Sequence, residues 1–221
     1  MISPPYKLDK LLLLDIGGVL LENVLEHDWW KRLARRSGRS AAELEQIFTN
    51  ELKPLLWTGR MSLPEFWERL TVAVSPAAPG LPQELRRELA DDLRPLPAIS
   101  RVVEWACRVH VALLSNHVSE WLEPHIARFG LRDACDFIVV SDQTGLQKPD
   151  RRAFQCALDQ WLKPPNTVLY VDDNEANLVV ASAMGMSTLL ATPTGRWEIE
   201  VDRWIERWVW EPEPGKTEGE S

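Results

Sequence analysis

The stretch Leu11-Leu12-Leu13-Leu14-Asp15-Ile16-Gly17-Gly18-Val19-Leu20 constrains the fold more than any other part of the chain. A short unbroken apolar run, halted by one acid and two glycines, reads as a buried strand of a parallel sheet. Open α/β sheets bind ligands beyond the carboxyl ends of their strands, so Asp15 is expected at the rim of such a site. Gly17 and Gly18 let the backbone turn sharply and bring its amides close to an anion. Alone, the stretch fits equally an aspartate that only caps a turn, and the rest of the sequence has to discriminate.

From Glu22 to about Leu93 the apolar residues fall at helical spacing, and four helices are expected over 27–36, 40–52, 63–74 and 82–93. Ser40 with Glu43, and Ser62 with Glu65, have the form of capping boxes. Beyond Pro95 and Pro97 the pattern alternates. Helices are expected over 98–108, 119–129, 151–161, 175–184 and 196–208, and strands over 109–114, 137–140, 167–171 and 187–190. Strands alternating with helices of this length imply parallel pairing through crossovers. The expected organisation is an α/β core of residues 1–21 and 94–210, with helices on both faces of the sheet and a helical insertion, 22–93, after the first strand. Residues 211–221, all Pro, Gly and polar or charged side chains, read as a disordered tail. Trp197, Trp204 and Trp208 share one side of the last helix, which suits core packing.

Several function classes are disfavoured. A formal charge of −8 argues against a nucleic-acid partner, and the basic run from Lys31 to Arg36 reads as a solvated helix face. No stretch approaches the roughly 20 apolar residues of a membrane span, and Met1 to Lys10 lacks the plan of a secretory signal, so a cytoplasmic protein is expected. The three cysteines, Cys107, Cys135 and Cys156, are widely spaced in apolar surroundings and read as reduced core residues. Neither a Gly-x-Gly-x-x-Gly fingerprint nor a Gly-x-x-x-x-Gly-Lys phosphate loop is present.

Three expected strands end in complementary polar residues: Asp15, then Ser115 with Asn116, then Asp172 with Asp173. The loop Gly145-Leu146-Gln147-Lys148-Pro149 adds a lysine. If these strands are neighbours, all these groups converge on one edge. Clustered carboxylates call for a cation, and an oxygen-only set containing Asp15 and Asp173 near a backbone carbonyl suits Mg²⁺. The Ser115 hydroxyl, the Asn116 amide, the Lys148 ammonium and the amides after Asp15 suit a phosphoryl group. Each signal is weak singly; their order along the chain makes them stronger together.

In these motifs, Leu14-Asp15-Ile16-Gly17-Gly18-Val19-Leu20, Leu113-Leu114-Ser115-Asn116, Lys148-Pro149 and Val171-Asp172-Asp173-Asn174, the chain resembles the haloacid dehalogenase superfamily. The resemblance extends to Asn177, Ala181 and Gly185 and covers nearly all of residues 10–192. It implies a Rossmann-like parallel sheet with a small helical cap, similar to sugar-phosphate phosphatases and to the phosphatase domain attached to epoxide hydrolase. It further implies a nucleophilic Asp15 that forms an aspartyl-phosphate. Mg²⁺ would be held by Asp15, the Gly17 carbonyl and Asp173, with Asp172 at or next to the ion. Gly17, Gly18, Ser115, Asn116 and Lys148 would hold the phosphoryl oxygens, and Lys148 would also offset the acids. The implied partner is a small phosphorylated metabolite, bound by a monomer or homodimer.

One departure stands out. The family's phosphatases usually carry an acid–base Asp two residues after the nucleophile, where this chain has Gly17. General acid–base catalysis is typically worth ~10²–10⁴ in rate. The departure favours substrates whose leaving group departs readily, such as anomeric or acyl phosphates, and makes His117 a candidate replacement donor. Glu22, His27, Trp29 and Trp30 follow the first strand closely enough to face the pocket, although packing between cap helices is the better reading for the tryptophans. Two other readings stay open: a metal-free dehalogenase in which Asp15 attacks carbon, and a non-catalytic partner or regulatory protein that has lost turnover.

Overall fold

The computed structural model describes residues 7–23, 27–74, 83, 87, 93–194 and 196–210. The helix expected over 82–93 falls almost wholly outside the described residues, and the tail 211–221 falls wholly outside them.

Five parallel strands, β1 Leu8–Leu14, β2 Val109–Ser115, β3 Phe137–Val140, β4 Val168–Asp172 and β5 Ser187–Leu190, form one sheet in the order β3-β2-β1-β4-β5. Leu11 to Leu14 of β1 are fully buried, and they alternate between two cores. Leu12 and Leu14 join the cluster that contains Trp105, Leu122 and Val201, while Leu11 and Leu13 join the one that contains Phe154, Ala157 and Ala181. A strand with apolar groups on both faces has no solvent side, which is why its sequence does not alternate with polar residues. β1 is the central strand, with Leu13 opposite Ala112 of β2 on one side and Tyr170 of β4 on the other. The order of strands reverses beside β1, and such a switch point leaves a crevice at the carboxyl edge.

Between β1 and β2 run α1 His27–Ala34, α2 Ala41–Ile47, α3 Lys53–Leu56 and α4 Leu63–Val74. The Ser40 capping box forms in both directions, with Glu43 N–H donating to Ser40 Oγ and Ser40 N–H to Glu43 Oε2, whereas at Ser62 the bond from Glu65 N–H to the hydroxyl, at 3.4 Å, is the half that forms. The single helix expected over 40–52 is instead α2, a π turn over Phe48–Leu52 and α3. Leu44, Phe48, Leu52 and Leu56 are all buried and spaced by four. Steps of four residues overshoot the ~3.6-residue period of an α-helix, and one wider turn keeps these side chains on the same face. With Trp30, Leu33, Phe66 and Leu70 they form an apolar cluster of their own.

The rest of the chain supplies the layers against the sheet. A 3₁₀ turn over Pro97–Arg101 leads into α5 Val102–Ala106, followed by α6 Ser119–Arg128, α7 Leu131–Ala134, α8 Ser141–Thr144, α9 Arg151–Trp161, α10 Glu175–Ala183 and α11 Trp197–Trp210. Trp197 is buried against Trp105, in keeping with a packing role. Cys135 is buried and Cys156 half-buried, but Cys107 is exposed, because it follows the last turn of α5. Among the described residues no helix is long and apolar enough to cross a membrane.

The helices after β1 meet the carboxyl edge of the sheet at an aromatic seam. Trp57 lies 5.9 Å from the His117 ring and 5.8 Å from that of Trp121, and its Nε1–H donates to the Asn116 carbonyl at 2.6 Å. Two residues on, Gly59 has φ +64°, and a Cβ there would stand 2.1 Å from the carbonyl oxygen of Asp142. Gly130 has nearly the same backbone, φ +63°, but open space around it. Gly130→Ala is therefore expected to lose about 1–2 kcal/mol from the left-handed backbone alone. Gly59→Ala should lose at least ~1 kcal/mol more through the backbone clash. Urea unfolding of the two variants measures the difference, and equal losses would show that the seam yields without strain.

Candidate active site

The strand ends bring together groups that are far apart in sequence. Asp15 directly follows β1, and its N–H extends the ladder to the Val171 carbonyl at 2.9 Å. Ser115 closes β2 and Asp172 closes β4. Between them, Lys148 Nζ donates to Asp15 Oδ2 at 2.8 Å, to Asp172 Oδ2 at 2.8 Å and to the Leu114 carbonyl at 2.9 Å. All three ammonium protons are thus engaged, with the lysine side chain 1% exposed. The loop that carries Lys148 is clamped by Asn116, whose Nδ2 donates to the Lys148 carbonyl at 2.7 Å and whose Oδ1 accepts the Lys148 N–H at 2.8 Å. Both ends of the Asn116 carboxamide therefore help position the lysine, while Asn116 also lines the cavity.

The acids divide into distinct roles. Asp172 is fully buried, and its carboxylate accepts from Lys148, the Tyr170 hydroxyl, Asn177 Nδ2 and the Asn174 N–H. These bonds make Asp172 the most heavily engaged of the three acids, anchoring Lys148 and the loop after β4 beside the candidate ion site. Asp173 is less buried, and its Oδ2 accepts from Asn23 Nδ2 at 3.0 Å. Gly18 is close to it: at φ +68°, an added Cβ would be 2.0 Å from Asp173 Oδ2. The Gly18 N–H donates to the Leu21 carbonyl at 2.8 Å. Gly18 thus makes room for Asp173 and closes a turn, and its amide does not face the cavity as a phosphoryl donor. At Gly17 an added Cβ would stand 2.6 Å from Asn23 Oδ1, so the Asn23 carboxamide fills the space in front of that glycine.

Burial pushes the Asp15 carboxyl up to about 7, and the charge on Asp172 adds to the rise while Lys148 opposes it. For Asp172 burial acts in the same upward sense, but Lys148, the Tyr170 hydroxyl and the Asn174 N–H together hold it below the ordinary carboxylate value. Asp172 is therefore the permanently charged partner of the shared lysine. Burial, with Asp15 and Asp172 alongside, raises Tyr170 well above its ordinary value, so its phenol stays a donor.

A cavity of about 630 Å³ opens at this edge. Asp15, Gly17, Ser115, Asn116, Lys148 and Asp173 line it; Gly18 and Asp172 do not. It is also lined by Asn23, Lys53, Trp57, Gln147, Asn174, Glu175 and Asn177, none of which the sequence marked as a pocket residue. Tyr170 had a legible signal, because it lies two residues before Asp172 on one strand and shares its face. Lys53 and Asn23 had none. Trp29 and Trp30 lie inside the helical cluster away from the cavity, Glu22 is exposed, and the His27 side chain lies outside the described residues.

The oxygen-only donor set fits a hard divalent ion. Carboxylate oxygens of Asp15, Asp172 and Asp173 lie within 4.8 Å of one another, and Lys148 is paired with the first two. With Asp172 the most heavily hydrogen-bonded of the three, Asp15, Asp173 and the backbone of Gly17 are the less engaged donors. Asn177 keeps its Oδ1 buried and without a hydrogen-bond partner among the described residues.

His117 also lines the cavity, with its Nδ1 accepting the Val118 N–H at 2.8 Å. Burial lowers its pKa to about 4, so at neutral pH it is an uncharged ring and a poor replacement acid. Because the unfolded chain binds this proton more tightly, the stabilisation is complete above pH ~6.5 and is lost as pH falls toward the folded value. Wild type is expected to lose up to ~3 kcal/mol between pH ~6.5 and ~4 that a His117→Asn variant does not lose. Chemical denaturation across that range tests this, and parallel pH profiles would refute it.

The sequence model of the haloacid dehalogenase-like hydrolase family matches residues 61–191, more than half of the chain. A pyrimidine 5'-nucleotidase of Escherichia coli is 31% identical over 129 residues, which cover 56% of this chain and 55% of the nucleotidase, so the chain spans about half the length of that relative. An (S)-2-haloacid dehalogenase of Burkholderia cepacia is 27% identical over 186 residues, 79% of each chain. Among solved structures, a family enzyme from Bacteroides thetaiotaomicron, in complex with magnesium and inorganic phosphate, superposes with a TM-score of 0.72 at 19% identity, covering 86% of this chain and 98% of that one. With the parallel sheet and the strand-end acids already described, the match over residues 61–191 shows that the chain belongs to the haloacid dehalogenase-like hydrolases.

Proposed function

We propose that the protein is a Mg²⁺-dependent phosphatase of a small phosphorylated metabolite, sugar-phosphate-like, with Asp15 as nucleophile. The observation that carries this reading is the arrangement of Asp15: one oxygen is held by Lys148, and the carboxylate borders a polar cavity together with Ser115 and Asp173. Asp15, Asp173 and the Gly17 carbonyl would hold the ion, which when bound supplies positive charge to offset the phosphoryl oxygens. Phosphatases among the relatives support it, including a fructose-1-phosphate phosphatase of Escherichia coli that is 29% identical over 108 residues.

In the first step an Asp15 carboxylate oxygen bonds to phosphorus, the ester P–O bond breaks, and its electron pair leaves on the ester oxygen, which takes a proton from water. In the second, water attacks the phosphorus of the aspartyl-phosphate, the bond to Asp15 breaks, inorganic phosphate leaves and a proton passes to solvent. The Ser115 hydroxyl would donate to a phosphoryl oxygen, and Lys148, whose three protons are engaged, would act on the phosphoryl group through its charge. Lys148 would also fix the attacking carboxylate. Residues 22–93 would serve as a cap that excludes water from the cavity.

Phosphate release from a panel of phosphate esters, with and without Mg²⁺, tests the proposal. Asp15→Asn is expected to lower turnover at least ~10³-fold, and a chelator should abolish it. Equal rates for wild type and variant would refute the enzyme reading. The likeness to a haloacid dehalogenase over 79% of both chains favours one competing reaction, attack of Asp15 on carbon. Halide release that persists in chelator would establish it instead.

The proton donor missing at Gly17 restricts the leaving group to one that departs with little assistance, such as an anomeric or acyl phosphate. Gly17→Asp should raise rates on poor leaving groups, and more so with Asn23→Ala, which clears the space that the new side chain enters. The gain is expected within the ~10²–10⁴ range of general acid catalysis. No gain in the double variant would show that another group already supplies the proton.

A further inference from the structure

Lys53 is a cation at the cavity that the phosphoryl chemistry does not use. It stands where the π turn of Phe48–Leu52 ends, and its own N–H makes the wide bond back to the Phe48 carbonyl. Such turns re-aim the residues that follow them, by roughly 100° for one inserted residue, and they recur at functional sites. The side chain lies at the rim, exposed as a residue, and its ammonium is 5.8 Å from the centre of the Trp57 ring. Desolvation lowers its pKa, and among the described residues no carboxylate contributes an opposing pull. Glu175, the acid at the cavity besides Asp15 and Asp173, is not among the groups that act on it.

The cavity therefore has two cationic ends with different surroundings. Lys148 is neutralised by Asp15 and Asp172, while Lys53 faces the same space with an aromatic ring and, among the described residues, no anion paired with it. A partly desolvated ammonium is completed by an anion brought with the ligand. We propose that the substrate carries a second anionic group, a carboxylate or a second phosphate, which Lys53 binds while the reacting phosphoryl group lies at Asp15. This assignment rests on the phosphatase reading of the same site. It narrows the substrate class to phosphorylated acids and bisphosphates, and makes Lys53 the residue that discriminates them from simple monoesters.

Matched ligand pairs separate the two sources of the anion: phosphoglycerate against glycerol phosphate for the carboxylate, and a hexose bisphosphate against its monophosphate for the second phosphate. Calorimetric binding is measured with Asp15→Asn protein, so that no turnover is needed, and kcat/KM is measured with the active protein. Lys53→Met, which keeps the apolar stem, is expected to reduce the preference for the doubly anionic member of one pair by about tenfold or more, and Lys53→Arg to restore most of it. The pair that loses its preference identifies the anion. A preference unchanged by Lys53→Met in both pairs, or absent from wild type in both, overturns the proposal. Selective binding without phosphate release from any ester would instead retain the anion site and overturn the phosphatase reading.

Discussion

A single ammonium group, Lys148 Nζ, sits between the carboxylates of Asp15 and Asp172 with the Leu114 carbonyl as its third acceptor, and the arrangement of the sheet's carboxyl edge depends on it. Without it two like charges would share a buried space. Ion pairs in such surroundings seldom add net stability, because the loss of hydration rivals the attraction. What they do is fix geometry, and here every neighbour contributes to the fixing. Tyr170, Asn174 and Asn177 saturate Asp172, and the Asn116 carboxamide grips the backbone of Lys148 from both sides. Asp15 is left bordering the cavity, desolvated, with one oxygen held by Lys148 and the other accepting the Ile16 N–H at 2.6 Å.

The fold divides labour around that point. The sheet edge is rigid because β1 is bonded on both sides and apolar on both faces. The helices after β1 have their own core and reach the edge through Trp57, whose indole bonds to the backbone of the same Asn116 that clamps the lysine. A residue from the helical layer and one from the chemical centre are thus joined through a single intermediary. Selectivity can vary in the helical layer while the strand ends stay unchanged.

Much of this was legible in the sequence, for identifiable reasons. The leucine run, the alternation of strands and helices, and the polar residues at strand ends are local patterns, and they predicted all five strands to within a few residues. The residues that now converge, Asp15, Ser115, Asn116, Lys148, Asp172 and Asp173, were all identified. Their individual jobs were harder to read. What an Asn or Asp at a strand end does depends on its hydrogen-bond partners: Asn116 also clamps Lys148, Asp172 also anchors that lysine, and the Gly18 amide closes a turn. Lys53 and Asn23 left no trace because each is an isolated polar residue in a segment without a motif. The π turn was hidden for a similar reason, since burial at intervals of four reads as ordinary helix until packing forces the wider turn.

The central position of β1 also bears on how the chain is made. Leu11 to Leu14 are synthesised well before β4, which covers one of their edges and is not complete until Asp172. At ordinary rates of protein synthesis the interval is roughly ten to thirty seconds. Throughout it, a strand with two greasy faces and an unpaired margin is available to chaperones or to a neighbouring nascent chain. The same burial that later makes the nucleophile's strand immobile makes it, on the ribosome, the segment most in need of protection.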